Sequence, residues 1–168
     1  MAQGGIAIVY YSRSGHSERL ARILSERLNA TLIHLVAPRY QSGLFAYLRA
    51  GFHSLRQTCD LPEQAFDTLA RYRAVIICGP VWTSYPATPL RGLLRSDIPM
   101  PKTVGLFLTC ADHSPAQKAF DTAEADFGGP FTATASLSND DEGTDRETRQ
   151  IDSFCQTILS ACGTLLVG

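Results

Sequence analysis

Three stretches of this chain hold residues whose types and spacing suit chemistry. The first is Ser12-Arg13-Ser14-Gly15-His16-Ser17, with three hydroxyls, one glycine and no acidic side chain. Unpaired backbone N–H groups and the positive end of the dipole sit at a helix start, so serines placed there add donors to a ready phosphate seat. Simple helix capping by Ser14 or Ser17 is the alternative, because serine caps helices often. The second stretch runs from Gly79 to Pro89 and offers Pro80, Val81, Trp82, Thr83 and Tyr85. Its two large aromatics are flat faces suited to stacking on an aromatic ring system, or else core or interface aromatics. The third stretch, after Thr109, is Cys110-Ala111-Asp112-His113-Ser114-Pro115. His113 is a candidate proton donor, since histidine titrates near neutrality, or an exposed loop residue. Cys110 reads as a reactive thiol or as a small buried residue.

The elements around these stretches fix where they meet. Ile6 to Tyr11 is a short apolar run of strand type, and Leu20, Ile23, Leu24 and Leu28 recur at helical spacing. Further strands are expected over Thr31–Val36, Ala74–Cys78, Thr103–Thr109 and Phe131–Ser138, the last an edge strand by its period of two. Helices are expected between Leu44 and Leu55, from a Thr88 cap with Pro89 in the first turn, and from Pro115 to Asp126 behind a Ser114 capping box. A last helix follows a second capping box at Thr144–Glu147 and buries Ile151, Phe154, Cys155, Ile158, Leu159 and Cys162. Arg39, Arg49 and Arg56 lie within or beside the second helix, a basic face that is either solvated or in contact with an anion. Strand and helix alternate five times, which implies a parallel sheet covered on both faces. In such sheets ligands sit beyond the carboxyl ends of the strands, where the exits of strands one, three and four converge. A planar ring system carrying a terminal phosphate satisfies all three.

At 168 residues the chain is expected to form a single domain over residues 1–168. Apolar residues make up 45% and charged ones 18%, as in a globular protein. A net charge of -1 gives no electrostatic argument for nucleic acid or an anionic membrane. Five cysteines without a Cys-x-x-Cys pair indicate neither a metal site nor a disulfide framework, and point to reduced thiols in the cytoplasm. No apolar run approaches the ~18 residues of a membrane span.

Ser12-Arg13-Ser14-Gly15-His16-Ser17 matches the form [Ser/Thr]-x-[Ser/Thr]-Gly-x-[Ser/Thr] directly after a strand. In this the chain resembles the flavodoxin family, specifically its short-chain members, over nearly its whole length. Gly79-Pro80-Val81-Trp82 resembles the family's second loop, Leu106-Phe107-Leu108-Thr109 the strand before its third, and 43–51 the second-helix region of some short members. The resemblance implies an α/β, three-layer, doubly wound sheet of five parallel strands in order 2-1-3-4-5, binding FMN. Ser12, Ser14 and Ser17, with the N–H groups from Arg13 to Ser17 (Gly15 and His16 included), would then hold the phosphate. Trp82 and Tyr85 would flank the ring, and Thr109, Cys110, Ala111, Asp112 and His113 would line its pyrimidine edge. The chain departs from the family in three ways: no glycine from Val81 to Tyr85, Asp112-His113 in a third loop without the usual glycines, and a near-neutral charge. The expected function is that of an FMN-binding redox protein. It is either a quinone-type small-molecule reductase using NAD(P)H, or an electron carrier with a redox partner protein. The competing expectation is a flavin-free phosphate- or nucleotide-binding module on the same fold.

Overall fold

A computed structural model describes residues 4–37, 66, 68–111 and 116–164. The expected second helix with Arg39, Arg49 and Arg56 lies outside those residues, as does the segment Asp112–Pro115.

The sheet is built from β1 (Ile6–Tyr10), β2 (Thr31–His34), β3 (Ala74–Trp82), β5 (Thr103–Cys110) and β6 (Ala133–Ser138). These five strands are parallel and ordered β2-β1-β3-β5-β6. Counted along the chain, that is the expected 2-1-3-4-5. A short strand, β4 (Tyr85–Pro86), folds back antiparallel onto the end of β3 and was not expected. The central strands are apolar at successive positions because both of their faces are covered. All residues of β1 and β5 are buried.

On one face lie α1 (His16–Leu28) and α4 (Asp145–Thr164). Leu20, Leu24, Ile151, Phe154 and Ile158 meet Ile6, Ile8, Ile76 and Phe107 there. On the other lie α2 (Thr88–Leu94) and α3 (Gln117–Phe127), whose Leu90, Leu93, Ala119 and Ala123 meet Val9, Val75, Ile77 and Leu106. Each fully buried Leu or Ile contributes about 1.5–3 kcal/mol of transfer free energy. A methyl group built on Gly79 would sit 2.5 Å from Leu90 Cδ1, so this glycine allows α2 its close approach to β3.

Several local expectations are corrected. Thr88 is not a cap: Ala87 precedes the helix, and the Thr88 hydroxyl is buried without a hydrogen-bond partner. The third described helix starts at Gln117, not Pro115, and Gln117 bonds Asp121 across one turn at 2.7 Å. Only half of the 144–147 box forms. The Glu147 N–H donates to Thr144 Oγ1 at 3.4 Å, but its carboxylate accepts from the Gly143 N–H at 2.7 Å. Leu159 is 47% exposed and faces outward, whereas its five companions on α4 are buried. No helix among the described residues is long and apolar enough to cross a membrane.

Candidate functional site

The exits of β1, β3, β5 and β6 enclose a cleft of about 730 Å³, within the ~300–1,000 Å³ common for small-molecule sites. Its first wall is the turn between β1 and α1. Gly15 takes φ 96° there, in the left-handed region where a side chain would be strained. No side chain caps α1, which removes simple capping as the purpose of the serines. Each hydroxyl has a separate place. Ser12 Oγ accepts the Gly15 N–H at 3.1 Å and closes the turn on itself. Ser17 is 2% exposed and shares a hydrogen bond of 2.7 Å with Thr109 Oγ1, tying the turn to β5. Ser14 is the hydroxyl of the three that lines the cleft, together with Arg13 and His16.

The second wall is Pro80, Val81, Trp82 and Thr83. These residues belong to a hairpin rather than to the irregular loop expected. Val81 pairs with Pro86 and Trp82 with Tyr85 across a two-residue turn, Thr83-Ser84. Both turn residues have positive φ, 48° and 70°, the mirror-image turn that suits hairpin twist but favours asparagine and glycine. Trp82 meets Tyr11 edge to face, with ring centroids 5.6 Å apart. The Tyr11 hydroxyl is buried without a partner, and burial pushes its phenol up to about 12. Tyr85 is not among the cleft residues. Its ring lies under Lys118 Nζ at 4.6 Å and the Arg91 guanidinium at 5.7 Å. Arg91 is 1% exposed and is held by Asp126, with Nε–Oδ2 at 2.6 Å.

Thr109, Cys110 and Ala111 form the third wall; Asp112 and His113 lie outside the described residues. Cys78 lies under the turn. Burial pushes its thiol up to about 12, and the thiol donates to the Ser17 carbonyl at 3.6 Å, so it is a packing group rather than a nucleophile.

A fourth wall was missed. Asn139, in the 3-10 turn Asn139–Asp141 after β6, lines the cleft, and its Oδ1 is buried without a partner. Three residues on, Glu142 Oε1 bonds His16 Nδ1 at 2.7 Å. Behind that pair, Glu147 is bound by Arg19 through both carboxylate oxygens. The Arg19 guanidinium, first, and the Gly143 N–H hold the Glu147 carboxyl below the usual carboxylate range, against the opposing effect of burial. The sequence signal was present: β6 is parallel to the other strands, so its exit opens at the same edge as theirs.

A second depression, about 500 Å³, runs along β6 and α4 and is reached by none of the loop residues above.

The sequence matches no protein-family model and no curated protein. The fold does have solved relatives. A flavoprotein from Lactobacillus acidophilus in complex with FMN superposes with a TM-score of 0.66 at 19% identity, covering 89% of this chain and 97% of that one. A candidate flavoprotein from Bacteroides uniformis gives 0.73 at 18% identity, covering 91% and 98%. Two-electron reduced flavodoxin from Megasphaera elsdenii gives 0.54 at 15% identity, covering 94% and 98%. The chain has a flavodoxin-like fold.

Proposed function

We propose that the protein binds FMN in this cleft and works as a redox protein. One observation carries the reading: an α-helix start with no side-chain cap opens into a cleft whose opposite wall is a tryptophan. The residues present fit the group. First-turn N–H groups and the Ser14 hydroxyl are donors for a phosphate that offers only acceptors. Trp82 gives a flat face for the ring. The orphaned Asn139 Oδ1 is an acceptor inside the cleft, and FMN carries ribityl hydroxyls and a ring N–H that can donate to it. Two solved neighbours bear the same reading, one an FMN complex and one a flavodoxin.

When bound, FMN supplies the one- and two-electron chemistry. The chain's own residues bind and orient it. The turn would hold the phosphate end, the hairpin would close one side of the ring, and Thr109, Cys110 and Ala111 would line another of its edges. The Ser17–Thr109 hydrogen bond keeps the two gripping loops in register. The Lys118 ammonium on Tyr85 is a positive group beside the hairpin that would favour an anionic or electron-rich reactant at that rim, whereas the Arg91 charge is buried and paired with Asp126. Together with the near-neutral overall charge, this favours a small-molecule reductase of quinone type over a carrier steered to a protein partner by long-range charge.

Titrating the apoprotein with FMN tests binding: a yellow complex with a dissociation constant in the micromolar range or tighter is expected, and no complex would refute the reading. Steady-state oxidation of NAD(P)H with a quinone, set against one-electron reduction through a reductase partner, separates the two forms. Failure to turn over with any nicotinamide donor removes the reductase form.

A further inference from the structure

The second depression, about 500 Å³, is a groove over a free edge of the sheet. β6 ends the strand order and pairs only with β5 among the described residues, so every second residue on its other side directs an N–H and a C=O outward. Ala133 and Ala135 pack on the α4 side, and by strand alternation Thr134 and Ser136 point to the opposite face. All four line the depression, so it follows the strand's edge rather than either face. Its walls come from both helical layers, Phe120 of α3 on one side and Arg149, Gln150 and Ser153 of α4 on the other. The Gln150 Oε1 is buried without a hydrogen-bond partner, an acceptor that a donor on an occupant would satisfy. Exposed edges are commonly blunted by lysine, proline or a bulge. β6 has none of these: Ala-Thr-Ala-Ser-Leu-Ser is uncharged and free of proline, and its ladder with β5 is regular from Ala133 to Ser138.

We infer that this groove takes a second copy of the chain, β6 against β6, antiparallel about a two-fold axis, so that two sheets become one. An identical strand suits the edge because each copy supplies the donors and acceptors that the other lacks, and the contact closes after two copies. The small side chains from Ala133 to Ser136 let the strands approach while α3 and α4 of the two copies meet on either side. A strand of six residues is about 20 Å long and a sheet with a helix on each face about 30 Å thick, so such a pairing buries up to about 1,200 Å² in total. That reaches the lower end of the range for stable interfaces. A single extended peptide would cover the strand and leave the helical walls open. The two α4 helices run antiparallel across the axis, which sets Arg149 of one copy toward the Thr157 end of the other and keeps the two guanidinium groups apart.

Sedimentation velocity of the full chain, with and without FMN, across the micromolar range is the test. A shift from the 18.3 kDa monomer to twice that mass is expected, with a micromolar dissociation constant. Thr134→Lys, at an exposed edge position, puts two ammonium groups into the contact and should weaken the dimer at least about a hundredfold. Ser153→Lys, on the exposed face of α4, adds to the Arg149 charge from the helical wall without touching the strand, and should weaken it about tenfold. Circular dichroism and thermal unfolding of the dilute monomers should match those of the unaltered chain. Weakening by either substitution with the fold intact supports the β6 contact. A chain that stays monomeric throughout, a dimer equally tight in both variants, or growth beyond the dimer overturns it. The groove shares no described residue with the FMN cleft, so failure of FMN binding leaves this outcome untouched.

Discussion

The turn at 12–17 and the hairpin at 81–86 face each other across one cleft, yet they obey opposite rules. In the turn, sequence and geometry agree. The residue with positive φ is a glycine, a serine closes the bend, and nothing nearby is strained. In the hairpin they disagree, because Thr83 and Ser84 both hold positive φ, a conformation that costs ~1–2 kcal/mol for a residue bearing a Cβ. Contacts from elsewhere hold that conformation: Tyr11 against Trp82, and Arg91 and Lys118 against Tyr85. One wall of the site is shaped by its own residues and the other by its neighbours.

The most severe way to break this contrast is to remove the hairpin's anchor. Asp126→Ala strips the carboxylate from buried Arg91, and a loss of about 3–5 kcal/mol in urea unfolding is expected for an uncompensated buried charge. A loss below ~1 kcal/mol would show that the hairpin does not depend on that pair. Ser14→Glu attacks the opposite wall. It should weaken FMN binding by at least about a hundredfold, through repulsion between carboxylate and phosphate at close range. Stability should barely change, because Ser14 has no structural bond to lose; equilibrium dialysis and thermal unfolding read the two effects separately. A smaller effect comes from giving the hairpin the residues its geometry favours. Thr83→Asn with Ser84→Gly should stabilise by about 1 kcal/mol, a rise of ~2–4 °C in Tm.

The smallest effect depends on pH. Glu147 is held below its usual range when folded, so its contribution is complete above the unfolded carboxyl's pKa and is lost as pH falls through the folded value. Urea unfolding followed from neutrality into the acid range should show a decline of ~1 kcal/mol or less that Glu147→Gln flattens. A steeper decline in the variant would contradict the assignment.

The same contrast explains what could be read in the sequence. The turn was legible because its determinants are local: a buried strand, three hydroxyls, a glycine and an amphipathic helix, all within a few residues. The parallel sheet followed from the alternation of strands and helices, and its strand order from the resemblance to the flavodoxin family. The hairpin was not legible, since Thr83-Ser84 lacks the asparagine or glycine such a turn favours and the groups against Tyr85, Arg91 and Lys118, come from α2 and α3. Tyr85 was assigned to the ring for its chemistry, but two cations on other helices hold it. Asn139 and Glu142 belong to no motif; Asn139 reaches the cleft and Glu142 bonds His16 only because β6 ends at the same sheet edge as β1, which no local pattern shows. Leu159 fits the apolar composition of α4 and still points outward, while Ile158 beside it is buried. Thr88 failed as a cap because Ala87 sits where the helix begins.

Trp82 is the only tryptophan in the chain, and it stands in the cleft wall. Indole emission, excited selectively at the red edge, therefore reports on this one location and on no other part of the molecule. A flavin seated nearby would quench it by energy transfer, so occupancy can be followed without a label. Loss of that signal before the circular dichroism of the helices changes would show that the pocket opens while the sheet stays intact.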